Sequence, residues 1–114
     1  MNNEHMELVQ TLRRCAEACN RCIGGCLQEN DINPMRECIR LDLDCAAICD
    51  LVAEYVGRGS AFSTQLLHHC SVICNTCATE CEQHRKMEHC RLCAEACFAC
   101  ANACEEAVAQ SVHV

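Results

Sequence analysis

The amino-acid sequence predicts an all-α protein, an antiparallel up-down four-helix bundle with a cysteine-lined core. The first observation is the spacing in the stretch from Cys90 to Cys104, whose five cysteines lie 3, 4, 3 and 4 residues apart. An average of about 3.5 residues puts all five thiols on one face of one helix. The second observation is that related spacings recur in three earlier segments. The third is that sustained period-2 alternation and Asn-Gly hairpin signals are absent, so no strand is predicted.

Every cysteine belongs to one of the four segments. Three segments contain the pattern C-x3-C-x2-C-x3-C, and the remaining one carries three cysteines spaced 7 and 4 apart. We expect every thiol to be a metal ligand. The cysteines are Cys15, Cys19, Cys22, Cys26, Cys38, Cys45, Cys49, Cys70, Cys74, Cys77, Cys81, Cys90, Cys93, Cys97, Cys100 and Cys104.

Composition narrows the class of protein. The chain has 114 residues, which predicts one domain spanning 1–114. Aromatic core residues are scarce, with no Trp, one Tyr and two Phe, whereas buried free cysteine behaves as a small hydrophobic residue. A formal net charge of −7 argues against a nucleic-acid partner. No apolar run approaches the length of a membrane span, so no membrane association is expected.

The first residues suggest a compartment. They show no basic region followed by an apolar one, no twin-arginine signal and no small-residue cleavage site, so we expect the protein to stay in the cytoplasm. In a reducing cytosol, dense cysteine indicates metal or redox chemistry rather than a disulfide framework.

Helix boundaries follow from caps and breakers, and we expect helices over about 4–28, 34–56, 61–83 and 87–109. The first begins near Asn3, a good N-cap, with Glu4 and Glu7 favourable in its first turn. Its inward face changes along the chain from leucine to cysteine. Gly24 and Gly25 weaken the helix but are expected to let another backbone come close.

The second helix has the clearest start. Asn33 is the expected cap, and Pro34 occupies the first helical position, where its missing N–H has no consequence. Gly57 and Gly59 are expected to end it.

The last two helices are separated by a short polar turn around Arg85 and Lys86. Ser60 or Ser63 is the expected cap of the third helix. The tail after Ala109 is expected to fray.

Antiparallel packing brings the four segments into register. One predicted layer near one end contains Cys26, Cys38, Cys81 and Cys90. The layer near the other end contains Cys15, Cys49, Cys70 and Cys104. The remaining thiols lie between, which makes a tube of sulfur about 20 Å long.

The second helix interrupts this pattern. Leu41 or Asp42 stands where an uninterrupted stripe would place another thiol, which puts the metal capacity of that side in question. A core carboxylate is unusual, and pairing of Asp42 with Arg40 or another bundle residue is preferred to contact with metal.

Copper(I) fits the thiol pattern best. It is soft, prefers thiolate and accepts two or three ligands, and helical neighbours at i and i+3 or i+4 reach one ion. Zinc prefers discrete tetrahedral sites, and the ferredoxin run C-x2-C-x2-C-x3-C-P is absent. Because each Cu(I) that displaces one thiol proton leaves the site neutral, charge balance suggests a ceiling of about 16 ions.

The chain resembles the bacterial copper storage proteins, in particular their cytosolic branch, over nearly its whole length. The motifs that carry the resemblance are C-A-E-A-C-N-R-C from Cys15, C-I-R-L-D-L-D-C-A-A-I-C from Cys38, C-S-V-I-C-N-T-C-A-T-E-C from Cys70 and H-C-R-L-C-A-E-A-C-F-A-C from His89. The resemblance implies a four-helix bundle, many Cu(I) ions along its core and a homotetramer.

The two ends of the bundle differ in chemistry. His84, His89 and Met87 flank the turn between the last two helices, and Met35 maps to the same end. Imidazole and thioether are suitable transient Cu(I) ligands, and the resemblance associates histidines in this turn with copper uptake. The opposite end carries three histidines, His5, His68 and His69, together with aliphatic residues that are expected to plug it. We therefore expect the metal entrance at the His84 and His89 end.

The sequence thus predicts a cytosolic store that sequesters multiple Cu(I) ions, loaded by a copper donor or chaperone that the sequence does not identify. No nucleophile, base and orienting group form a recognisable set, so an enzyme is not expected. The alternatives are an iron–sulfur, ferredoxin-like electron carrier and a zinc or thiol redox buffer.

Overall fold

The computed structural model describes residues 3–112, and its helices form an antiparallel up-down bundle. The helices are α1 (Asn3–Leu27), α2 (Arg36–Gly57), α3 (Ser63–Glu82) and α4 (Glu88–Val112). Each helix packs against its neighbours in the chain, and contacts between α1 and α4 close the ring. The molecule measures 49 × 19 × 19 Å. Within the described range no strand is present, which confirms the predicted all-α class.

The start of α2 differs from the prediction. Asn33 to Met35 form a short 3-10 helix, so α2 begins at Arg36 and Met35 occupies its N-cap position without a side-chain hydrogen bond. Asn33 does not cap the helix; its Oδ1 accepts a hydrogen bond from Arg36 Nε at 2.9 Å. Pro34 lies in the first turn of the 3-10 helix, where its missing N–H is again tolerated.

The α2 helix ends in a glycine turn, as the sequence predicted. Gly59 has a φ of +69°, and its N–H donates to the Val56 carbonyl at 3.0 Å. The N–H of Ser60 reaches back to the Tyr55 carbonyl, also at 3.0 Å. These two bonds are those of a Schellman motif, which satisfies helix carbonyls that would otherwise be unpaired.

Two predictions about α3 and α4 were wrong. Neither Ser60 nor Ser63 caps α3: Phe62 is in the N-cap position, and Ser60 Oγ accepts from the Phe62 N–H at 3.1 Å. The Ser60 N–H belongs to the turn that ends α2, and its Oγ is bonded to the Phe62 N–H. The α3 helix therefore starts without a side-chain cap. The α4 helix continues past Ala109 to Val112, so the tail is helical this far, and residues 113–114 lie outside the described range.

The core of the bundle is made of sulfur along most of its length. Aliphatic residues close one end, with Leu12 and Val52 at 0% exposure and Val56 and Leu67 at 4%. This confirms the predicted plug. None of the described helices is long and apolar enough to span a membrane.

Candidate metal centre

The thiols are completely enclosed. All sixteen cysteines are free and have 0% of their surface exposed. This follows from the sequence spacing, because a 3-and-4 alternation keeps every cysteine of a helix on the face that points into the bundle.

Sulfur atoms touch across helices as well as along them. Cys38 and Cys81 Sγ are 3.4 Å apart, between α2 and α3. Cys15 and Cys97 Sγ are 3.7 Å apart, between α1 and α4. Such distances are van der Waals contacts, well beyond the ~2.05 Å of a disulfide. One small ion can therefore bind two or more of these thiols with little rearrangement.

Helical neighbours form the short-range pairs that the sequence predicted. Cys22 and Cys26 Sγ are 3.9 Å apart, and Cys93 and Cys97 Sγ are 3.8 Å apart. Both pairs have i, i+4 spacing, which places their side chains on the same face one turn apart.

The thiols fall into overlapping groups whose ligand atoms lie within 4.8 Å of one another. Neighbouring groups share members, so a thiolate of one site can bridge to the next. Among these groups are Cys15, Cys49, Cys74 and Cys100; Cys15, Cys19, Cys45 and Cys97; and Cys19, Cys77, Cys93 and Cys97. Shared ligands make a continuous chain of soft sites rather than isolated tetrahedral ones.

The predicted layers are close to those observed. At one end Cys49 and Cys70 Sγ are 3.8 Å apart, as the register requires. At the other end Cys22 shares the level of Cys26, because its Sγ lies 3.8 Å from Cys38 and also 3.8 Å from Cys90. The layer at this end therefore contains Cys22 in addition to the four predicted cysteines.

Asp42, rather than Leu41, takes the place of a thiol in the cysteine stripe of α2, and Arg40 is not its partner. Its carboxyl group is 0% exposed and lies inside the sulfur core, where Oδ1 accepts from Cys77 and Cys93 Sγ, each at 3.2 Å. Arg40 instead faces Glu37 on the surface at 3.6 Å. Asp42 continues the cysteine alternation four positions after Cys38, as the sequence allowed, and its partners are other bundle residues, the thiols, rather than Arg40.

Burial raises the pKa of several acidic groups in this core. Removal from water raises the pKa of Asp42 to about 9, and any negative charge on the nearby Cys93 and Cys38 sulfurs acts in the same direction. Burial likewise raises the pKa of the Cys26 thiol to about 12 and raises the pKa of Cys90. These groups are therefore neutral at pH 7, and an ion that binds Cys26 or Cys90 as thiolate must displace a proton.

The ring of His89 contacts three of the thiols. Its Nδ1 is 3.5 Å from Cys90 Sγ, 3.6 Å from Cys22 Sγ and 4.0 Å from Cys26 Sγ. These four residues form one of the groups able to hold a metal ion. The imidazole adds a nitrogen donor to the sulfur core.

Gly25 makes room for that imidazole. A Cβ at this position would stand 2.5 Å from two ring carbons of His89, whereas a Cβ at Gly24 would meet nothing within 4 Å. The prediction that these glycines admit another backbone was wrong: only Gly25 has a packing reason, and its neighbour is a side chain.

The other residues predicted at the entrance lie in different settings. His84 lies in the turn after α3, and its Nε2 is 2.8 Å from Oε2 of Glu80 in the last turn of that helix, in a half-buried pair. Met87 is partly buried against the core, and Met35 is only 1% exposed. At the opposite end, His5 lines an outer groove of about 610 Å³ that lies over Leu67 and Val56.

Fold and site together define a class: a helical bundle whose buried, overlapping thiols form a polynuclear site for soft metal ions. The family model for copper storage proteins matches residues 1–109. The chain therefore belongs to the copper storage protein family.

Relatives of known sequence or structure agree with this assignment. An uncharacterized cysteine-rich protein, YhjQ of Bacillus subtilis, is 41% identical over 95 residues, covering 83% of this chain and 87% of the relative. The Cu(I)-bound copper storage protein BsCsp3 is 36% identical, with a TM-score of 0.87 over 91% of this chain and 97% of that one. A cytosolic copper storage protein from Streptomyces lividans, with five coppers, is 37% identical, with a TM-score of 0.89 over 93% and 92% of the two chains.

Proposed function

We propose that this chain stores multiple Cu(I) ions as thiolate complexes along the core of the bundle. The observation that carries the proposal is the buried chain of sulfur contacts, in which neighbouring Sγ atoms lie between 3.4 and 4.0 Å apart. Cu(I) takes two or three thiolates, and a shared thiolate bridges two ions. A related protein from Streptomyces lividans has been loaded with 10 copper equivalents.

Charge balance sets the capacity. A core of sixteen thiolates is neutral when it holds one Cu(I) for each sulfur, so a filled core holds about 16 ions per chain. Asp42 supplies a hard oxygen instead of a seventeenth sulfur and adds no soft ligand. Sequestration needs no reacting substrate, and we assign the chain no catalytic role.

The other functions are less well supported. Family membership does not favour an iron–sulfur electron carrier or a zinc or redox buffer. The overlapping groups of thiols also differ from the separate four-ligand sites that zinc prefers.

An anaerobic titration of the reduced protein with Cu(I), followed by metal analysis, tests the proposal. We expect binding to continue to about 16 ions per chain without visible colour, because Cu(I) has a filled d shell. Saturation after one or two ions, or a brown protein after reconstitution with iron and sulfide, would contradict copper storage.

We further propose that copper enters at the end that carries His84, His89, Met87 and Met35. Transfer from a donor requires ligand exchange through donors weaker than the store. The contacts of His89 with Cys22 and Cys90 support this route, and the aliphatic plug closes the opposite end.

Replacing His84, His89 and Met87 together should slow stopped-flow loading and leave the final capacity nearly unchanged, since the sixteen thiols remain. The matched control replaces His5, His68 and His69 at the opposite end. Slower loading in the control alone would place the entrance there.

Assembly and location complete the proposal. Large apolar side chains remain exposed on the outer faces of the bundle, among them Leu43 at 55% and Phe98 at 39%. We propose that they pack in a homotetramer, which light scattering would detect as about four chain masses. The cytosolic relative supports a cytoplasmic location, where a copper donor or chaperone loads the protein.

A further inference from the structure

The two ring nitrogens of His89 have different surroundings. Nδ1 faces the three thiols of Cys22, Cys26 and Cys90. Nε2 is also buried, but it has no hydrogen-bond partner among the described residues. The ring cannot move far toward α1, because it already occupies the space that a Cβ at Gly25 would fill.

A buried polar atom without a partner is uncommon, since losing its hydrogen bond to water costs about 1–3 kcal/mol. Glu29 has a carboxylate oxygen close to this atom, because its Oε2 is 3.8 Å from His89 Nε2. The Glu29 side chain is 36% exposed, so it is free to turn. Its backbone is held in place, because its N–H donates to the Cys26 carbonyl at 3.2 Å.

The position of one proton decides what His89 can do. A neutral imidazole carries a single N–H, on either Nδ1 or Nε2. With the proton on Nδ1, that nitrogen can only donate to sulfur and has no lone pair for a metal. With the proton on Nε2, Nδ1 presents its lone pair to the group formed by Cys22, Cys26 and Cys90. Histidines that ligate metals commonly donate the other N–H to a carboxylate or carbonyl for this reason.

We propose that Glu29 is the positioning residue of the copper entrance: it accepts the Nε2–H of His89 and so keeps Nδ1 free to bind Cu(I). This inference rests on the proposed role of His89 in taking up copper. Glu29 acts through His89 and does not itself contact the ion. His84 is engaged by a different carboxylate, Glu80, so the two histidines have separate partners.

Long-range ¹H–¹⁵N correlation spectra of the reduced, metal-free protein report the tautomer directly, with His89→Gln to assign the signals. We expect the Nε2–H form to dominate in the parent protein. Glu29→Ala should move the population toward Nδ1–H, whereas Glu29→Gln, which keeps an acceptor oxygen, should retain the parent tautomer. Glu80→Ala removes a carboxylate from the same end and should leave His89 unchanged.

A second measurement connects the tautomer to copper. In competition with a Cu(I) chelator, Glu29→Ala should weaken binding at the site that includes His89 by about 10- to 100-fold, with the total capacity unchanged. Glu29→Gln should rescue most of this loss. A dominant Nδ1–H form in the parent, or the same tautomer in Glu29→Ala, would overturn the inference.

A tautomer shift without weaker copper binding would also overturn it. The spectra need no metal, so they remain decisive if copper storage itself fails.

Discussion

At the residue scale, Asp42 places a hard carboxylate group inside a core of soft sulfur ligands. It accepts from four thiols, Cys77 and Cys93 at 3.2 Å and Cys38 and Cys81 at 3.7 Å, and is completely buried. A carboxylate is a hard ligand that Cu(I) does not prefer. In the metal-free protein its oxygens instead accept hydrogen bonds from these thiols.

The raised pKa of Asp42 predicts how stability depends on pH. The native carboxyl keeps its proton up to about pH 9, whereas the unfolded chain releases it near about pH 4. Unfolding therefore releases a proton between these values, so this group's contribution to stability is complete below about pH 4 and is lost as pH rises toward 9.

Asp42→Asn removes that ionisation and keeps an acceptor oxygen. Relative to the parent, the reduced metal-free variant should gain about 1.4 kcal/mol of unfolding free energy for each pH unit between about pH 5 and 7.5. Guanidinium denaturation at several pH values measures the trend. Asp44→Asn, on the exposed side of the same helix, is the matched control. A constant difference across the range would contradict a neutral buried carboxyl.

Gly25 and Gly24 form a natural pair for testing the seat of His89. Gly25→Ala should lower the unfolding free energy of the metal-free protein by about 1–3 kcal/mol, because the new methyl group overlaps the imidazole ring. Gly24→Ala meets nothing within 4 Å and should stabilise the helix by about 0.5–1 kcal/mol. Equal effects of the two changes would mean that the ring does not rest on α1.

At the element scale, the helix ends divide into well-terminated and weakly capped ones. The Schellman motif after α2 pairs two of its last carbonyls. The starts of α2 and α3 have no side-chain cap. Packing of the inward faces, rather than local capping, must therefore supply most of the stability of α3.

Gly59 is the position where a left-handed backbone conformation is required. Gly59→Ala should lower the unfolding free energy by about 1–2 kcal/mol, since a Cβ is strained at its φ of +69°. Gly57→Ala lies two residues earlier, within α2, where alanine is preferred to glycine, and should be neutral or stabilising. Chemical denaturation of both variants decides; an unchanged Gly59→Ala would show that the turn tolerates another conformation.

At the scale of the whole molecule, the metal-free thiols themselves fill the core. Cysteine packs as a small hydrophobic residue, and the aliphatic plug around Leu12 and Val52 adds to the buried apolar surface. We therefore expect the bundle to form without metal, in contrast to small zinc domains, where binding free energy is folding free energy.

Far-ultraviolet circular dichroism of the reduced, metal-free protein should accordingly be strongly helical, with little change on adding Cu(I). Thermal unfolding should shift upward with copper, because an ion that binds only the native state stabilises it. A transition from coil to helix on addition of metal would contradict a preformed bundle.

The sequence by itself determined the helical class, the inward direction of all sixteen cysteines and the family resemblance, because a 3-and-4 alternation has only one structural solution. It located most helix boundaries to within about two residues. Local patterns failed where neighbours compete: Asn33 is bonded to Arg36, and Ser60 serves the turn that ends α2.

Only the tertiary structure decided the contacts between helices. Periodicity along one helix does not tell which atom of a neighbouring helix lies opposite. The sequence therefore did not predict the sulfur partners of Asp42 or the packing of the His89 ring against Gly25. Glu29, just after α1, lies close to His89 of α4, although the two residues are far apart in sequence. The sequence therefore determined the chemistry of the core, and packing in three dimensions determined which groups adjust it.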